Sequence, residues 1–303
     1  MLCGLSNKLA QRSNYTGDRI MAGKKPAPAA KATTGKSVVK KEEERKDLLP
    51  EIDYGEDAGA GFEDIGQEDL AIPFLAILQS GSPQVDEDEP GYIDGAKAGA
   101  VLNTVTQEVY DGKSGVLFVP VHRVHNFVEW VPRDQGGGFA GVYEPDDPIV
   151  IKARRGGAFG RLESPDGNDL VETFTVFGLL VHKDGSFDPA IIAFSSTQIK
   201  HYKRWMTQAR GIMVRSPSSG QRINPPLFSH AYRLTTKQES NNKGKWHGWS
   251  ISFDGGSTNS ARLEQDSDVY QAAKGLREMV TSGAAKANYS SVQQDSDGDN
   301  DEI

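Results

Sequence analysis

The sequence predicts a mainly β domain with one well-marked helix after its third main strand, a second helix near the C-terminus and disordered ends. Three observations carry that prediction. Residues 101–253 hold several runs rich in Val, Ile and aromatics, broken by Gly, Asn and Asp, the composition of strands and turns. The stretch STQIKHYKRWMTQAR from Ser195 repeats apolar residues at spacings of three and four, which is helix periodicity. A hydrophobic content of 37% over 303 residues, with a mean hydropathy of -0.53, is low for a chain folded throughout. The expected organisation is a disordered segment 1–64, a folded domain 65–282 and a flexible acidic tail 283–303.

Taken in order, residues 22–50 are rich in Lys, Ala, Pro and Glu, and Met21 reads as a second start with residues 1–20 as an upstream extension. Order is expected to begin at DLAIPFLAILQSGSPQVD, where Pro73 allows a short helix or an extended segment docked on a core. VLNTVTQEVYDGKSGVLFVPV reads as a strand, a turn at Asp111-Gly112 and a second strand, which continues through HRVHNFVEWVP. LVETFTVFGLLVH is apolar on both alternations, as a central strand should be. AIIAFS is a third run. In the helix that follows, Ser195 and Gln198 fit a capping box and Phe194 with Ile199 a hydrophobic staple. Ile199, Tyr202, Met206 and Ala209 mark its buried stripe. LFSHAYRLTTK and KWHGWSISFD are two further strands across an NNKG turn, and a last helix is expected over residues 266–281. Five or six strands with a helix between the third and fourth match the element order of an oligonucleotide-binding-fold-like barrel.

Charge is strongly segregated. Residues 51–111 carry fifteen acidic residues against Lys97, whereas residues 195–262 carry eleven basic residues against Glu239 and Asp254. The chain ends DSDGDNDEI, with Asp295, Asp297, Asp299, Asp301 and Glu302 before Ile303. A basic surface with acidic segments that compete for it suits a polyanionic ligand, and nucleic acid is the commonest. Two solvated faces of opposite sign would give the same counts.

Several function classes are not expected. No run is long enough for a membrane span, and no apolar leader with a small-residue cleavage site opens the chain. Cys3 is the only cysteine, which excludes a disulfide framework within one chain and points to the cytosol. DGKSG lacks the upstream glycine of a Walker A loop. PDDPIVIK has Val150 where a nuclease core needs a carboxylate. His122 and His125 lie three apart on a strand and point to opposite faces. Neither catalysis nor a metal or other cofactor is expected.

Lys200, Lys203 and Arg204 share one face of the first helix, next to Trp205. Cations beside an aromatic plane suit phosphates and stacked bases; a solvated face over a core tryptophan gives the same pattern. In KWHGWSISF, Trp249, Ile251 and Phe253 fall on one side, and Trp246, Gly248, Ser250 and Ser252 on the other. Phe228, Tyr232 and Leu234 face inward, leaving Arg233, Thr235 and Lys237 outside. With Lys245, these strands form a candidate single-strand platform, against an ordinary polar sheet face. Arg133 beside Gly136–Gly138, and Arg154 with Arg155 on an expected glycine-rich loop, are further candidates for phosphate contact.

The stretches LQSGSPQVDE, GYIDGAKAGAVLNTVTQEVYDGKSGVLFVPVHRVHNFVEWVPRDQGGGF and IIAFSSTQIKHYKRWMT resemble replication-associated proteins of tailed bacteriophages, over roughly residues 65–253. EWVPRDQGGG and SSTQIKHYKRW are the most specific parts. The resemblance implies single-stranded DNA-binding proteins of oligonucleotide-binding-fold type. Such proteins often end in an acidic tail closed by a hydrophobic or aromatic residue, and Ile303 stands where Phe is more usual.

The reading is a non-catalytic protein that coats and protects single-stranded DNA during phage DNA replication and recombination. Lys200, Lys203, Arg204, Arg233, Lys237 and Lys245 would track phosphates, and Trp205 and Trp246 would stack bases, ahead of Tyr202. The tail would occupy the basic groove without DNA and recruit phage replication proteins when displaced. Homo-oligomerisation is compatible with this reading. The alternative is a virion structural or scaffold protein that binds no nucleic acid.

Overall fold

The computed structural model describes residues 71–156, 162–242 and 244–291, with Gly55, Ala60 and Gly61. The chain divides into Met1–Ala58 and Gly59–Ile303, and all that follows concerns the second unit. The segment expected to be disordered over residues 1–64 lies outside the described residues, apart from those three positions. Asp295–Ile303 lies outside them too.

Eleven strands and three α-helices are described. A small sheet joins β1 (Leu75–Ile77), β2 (Val101–Asn103) and β3 (Val109–Tyr110). The main sheet contains β4 (Val116–Trp130), β5 (Phe139–Tyr143), β6 (Asp169–Val181), β7 (Phe187–Ser195), β10 (Tyr232–Asn241) and β11 (Gly244–Phe253). β8 (Val214–Arg215) and β9 (Arg222–Ile223) pair separately. The helices are α1 (Pro148–Gly156), α2 (Ile199–Arg210) and α3 (Asp268–Ser282).

The main sheet runs β11-β10-β4-β6-β7, with β5 added to the far end of β4 and every pairing antiparallel. The fourth main strand, β10, returns beside the first, β4, which is Greek-key order. The helix after the third main run and the C-terminal helix fall where the periodicity placed them. α3 starts at Ser267, whose side chain accepts a hydrogen bond from Tyr270 N–H, and stops at Gly283 in the left-handed region (φ 82°); both are the expected terminators.

The main sheet does not close by strand pairing. Its two outer edges, β7 and β11, are bridged by the segment around β1. Ile191 N–H donates to the Pro73 carbonyl at 2.8 Å on the β7 side. On the β11 side, Gln79 acts as a detached peptide unit. Its Oε1 accepts from His247 N–H at 2.8 Å and its Nε2 donates to the His247 carbonyl at 3.0 Å. Gln198 Oε1 accepts from Trp249 N–H at 3.1 Å. Glutamine amides thus satisfy backbone groups that a neighbouring strand would otherwise take.

Both faces of β4 and β6 are covered, which explains why LVETFTVFGLLV is apolar on both alternations. One cluster holds Val116, Phe118, Val176, Ile192, Phe194, Tyr232, Leu234 and Trp249 against α2. A second packs Val119, Val121 and Leu179 under Ala273 and Leu276 of α3. The register of β4 against β6 shifts between Pro120 and His122, a bulge at a residue with no N–H to give. Gly178 sits opposite, and the Phe118 ring and Val119 carbonyl fill the space that a side chain there would need.

Four local expectations change. Val101–Tyr110 is itself a hairpin, because Asn103 Oδ1 accepts from Val105 and Thr106 N–H, each at 3.0 Å, and turns the chain early. Ser195 forms no side-chain cap; Ser196–Gln198 make a 3-10 turn, and the Gln198 amide bonds β11 instead. Arg154 and Arg155 lie in the last turn of α1 rather than on a glycine-rich loop, because Asp147 Oδ1 accepts from Ile149 N–H at 2.8 Å and Val150 and Ala153 are buried. The domain also continues past residue 282. Tyr289 is 4% exposed and packs on Phe74, its hydroxyl 2.6 Å from Thr175 Oγ1, so residues 283–291 belong to the fold and not to the tail.

Candidate nucleic-acid interface

The β10–β11 register decides which side chains meet. Glu239 opposes Trp246, Lys237 opposes Gly248, Thr235 opposes Ser250 and Arg233 opposes Ser252. Cross-strand partners share a face, so these eight residues form one surface, turned away from the Tyr232, Leu234 and Trp249 side. The alternation read from the sequence therefore has the right phase in both strands. Lys245 is a correction: it opposes Ser240, one position out of phase with the Glu239–Trp246 pair, so it is exposed but lies on the opposite face from Trp246.

α2 sets its first turn against this surface. Lys200 Nζ lies 5.8 Å from the centre of the Trp246 ring, within cation–π range. The indole N–H of Trp246 is buried and has no acceptor among the described residues. Lys203 and Arg204 are exposed on the same helix.

Trp205 is a correction. It is 1% exposed, with Tyr232, Phe194 and Phe118 rings at 5.3, 6.0 and 6.4 Å. It fills the centre of the main core and cannot stack a base. At 100° per residue it falls about 40° beyond Ala209, at the edge of the stripe marked by Ile199, Tyr202, Met206 and Ala209. Tyr202 is likewise buried and stacks on Phe174 at 4.4 Å.

The cations of this surface are not all open. Glu239, its side chain 14% exposed, receives Lys200 at 2.7 Å, Lys237 at 3.2 Å and His201 at 3.2 Å. Burial alone would raise its pKa, but the hydrogen bonds from Lys200, Lys237 and His201 outweigh it and hold the carboxyl at about 2. Burial lowers the pKa of His201, against the opposing pull of Glu239. Arg233 pairs with Asp254 at 2.9 Å. Lys200, Lys237 and Arg233, expected to be open phosphate contacts, are thus each held by a carboxylate. Sequence reasoning does not single out Glu239 as a site residue; its only signal there is being one of two acids in a basic segment.

Arg133, Arg154 and Arg155 are not brought to this surface. Arg133 lies in the turn after β4, where Gly136–Gly138 all have positive φ. The Arg154 guanidinium sits 4.7 Å from the centre of the Phe127 ring, near the end of β4 remote from the β10 pairing. His125 and His122 do diverge. His125 bonds Glu172 at 2.9 Å and stacks on Phe174 at 4.2 Å, while His122 lines a groove beside α3. No described helix is long and apolar enough to cross a membrane.

Among protein families, residues 40–286 match the one described as Pam3 phage gp34-like protein. No curated protein and no solved structure matches.

Proposed function

The chain belongs to the Pam3 phage gp34-like protein family, and from that premise we propose that it is a non-catalytic single-stranded DNA-binding protein acting in phage DNA replication and recombination in the host cytoplasm. The observation that carries this reading is the β10–β11 surface. Trp246 shares this face with Gly248, Ser250 and Ser252, and Lys200 and Lys237 lie on the same side. The Trp246 ring is partly exposed and can offer a face to a base, although Gln198 and His201 cover Gly248 beside it, and the cations can follow a backbone. The element order supports an oligonucleotide-binding-fold-like barrel whose seam is filled by the β1 segment instead of strand pairing. The carboxylates of Asp295, Asp297, Asp299, Asp301 and Glu302 compete for these cations until DNA displaces them. With Ile303, they then engage replication proteins.

Tryptophan fluorescence on titration with oligo-dT tests this. Trp130, Trp205 and Trp249 are buried, so quenching should arise at Trp246. Trp246→Ala should remove the signal and weaken binding, as followed by anisotropy, at about 1–3 kcal/mol per stacked base. Unchanged affinity in a folded Trp246→Ala protein, or equal affinity for a duplex hairpin, sinks the reading.

A further inference from the structure

One edge of β4 is paired with β6 throughout, but the other is shared. β10 takes Val116–Phe118 and β5 takes Phe127–Trp130. From Val119 to Asn126 no described strand lies on that edge. α3 and the turn Pro226–Phe228 border the gap and leave a groove of about 710 Å³ against Val121 and His122. The groove follows from the bulge at Pro120–His122, which swings β4 away from β10.

The walls of this groove are cationic. Tyr270, Lys274 and Arg277 line it at helical spacing, one stripe round from the buried Ala273 and Leu276. Arg123 enters from β4, its guanidinium beside the Tyr202 hydroxyl of α2. Lys274 and Arg277 are exposed, and no described carboxylate forms an ion pair with either. Glu278 is the one acid in the lining. Here the contrast with the β10–β11 surface matters. There each held lysine has a carboxylate; here Arg123, Lys274 and Arg277 outnumber Glu278, and neither Lys274 nor Arg277 is ion-paired with a described carboxylate. The His122 imidazole senses this, since burial and then the charges of Arg277 and Arg123 lower its pKa. Uncompensated charge in a cleft focuses field on a ligand of opposite sign. Tyr270 meets Phe228 edge-on at 5.1 Å, so an aromatic ring flanks the cations.

We infer that this groove is a second phosphate-binding site, in which Arg123, Lys274 and Arg277 hold the backbone of a single-stranded nucleic acid beside Tyr270. The ligand class rests on the reading proposed above; the site does not. Arg123 also links the groove to α2, which carries Lys203 and Arg204.

The test follows the His122 ring resonance by NMR in the full chain, with oligo-dT and with inorganic pyrophosphate. The resonance is assigned through His122→Gln. Both probes should move it in the parent and neither in the Lys274→Ala/Arg277→Ala double variant, whose changes lie on an exposed helix face. Against oligo-dT, the salt dependence of that variant should flatten by about 1.4, at about 0.7 for each phosphate no longer neutralised. The swap Lys274→Arg/Arg277→Lys should keep the parent slope. If oligo-dT binds with His122 silent and the slope unchanged, this inference falls and the β10–β11 reading stands. If oligo-dT does not bind at all while pyrophosphate still moves His122 in the parent alone, the phosphate site stands and the single-strand reading falls. If a DSDGDNDEI peptide moves His122 and oligo-dT binds without doing so, the groove belongs to the tail and the inference is overturned.

Discussion

Glu239 is the residue on which the candidate surface turns. It neutralises Lys200 and Lys237 and fixes both beside Trp246, so a phosphate must displace a carboxylate to reach them. Glu239→Gln removes that competition while keeping the shape. It should raise oligo-dT affinity several-fold at low salt, as read by anisotropy. It should also cost stability, about 2 kcal/mol at pH 7, the scale of a hydrogen bond to a charged group. The carboxyl is held at about 2, below its ordinary value of 4.5. A depressed carboxylate pKa stabilises fully above the unfolded value and loses that contribution as pH falls through the folded one. The stability gap between parent and variant, from urea unfolding, should therefore shrink between about pH 4.5 and pH 2. A gap that stays constant with pH would mean that Glu239 acts by packing alone.

At the scale of elements, the seam between β7 and β11 depends on side chains standing in for a strand. Gln198 starts α2 yet bonds Trp249, and Gln79 after β1 bonds His247 across 168 residues of sequence. Gln198→Ala leaves the buried Trp249 N–H without its partner, a loss of about 1–3 kcal/mol. Hydrogen exchange should show Trp249 losing protection first, before strands β4 and β6, because those keep their ladders. Uniform loss across the sheet would mean that α2 itself had come away. The strands and both long helices are legible from alternation and from spacings of three and four. α1 is not, because its short apolar stripe, Val150 and Ala153, sits among Asp, Pro and Arg. The hairpin at Asn103 is hidden for a similar reason: one side chain capping two amides leaves no periodic trace.

For the whole molecule, charge separation is the dominant feature. The chain carries a net charge of -8, yet residues 195–262 are strongly basic and residues 295–303 hold five carboxylates and no cation. The fold extends to Ser291, so the acidic end is tethered close to the domain. A tethered competitor acts at an effective concentration of about millimolar for a short linker. Deleting residues 295–303 should raise oligo-dT affinity at low salt, and the gain should vanish near 1 M salt, where the screening length is about 3 Å. Equal affinity with and without the tail at low salt would leave it only a solubilising end.

By itself, the sequence determined the β character of the domain, the place of α2 and α3, and the inward and outward sides of β10 and β11. These follow from local periodicity, which a single chain displays. Tertiary structure alone decided which outward residues are available. Trp205 lies at the edge of the apolar stripe on α2, and only the rings of Phe118, Phe194 and Tyr232 place it inside. Lys200 and Glu239 are far apart in sequence and meet because α2 crosses the end of the β10–β11 hairpin. The groove at His122, Lys274 and Arg277 exists because β4 bends at Pro120 and α3 packs beside it. Pairing and burial are set by neighbours distant in the chain, and periodicity carries no information about them.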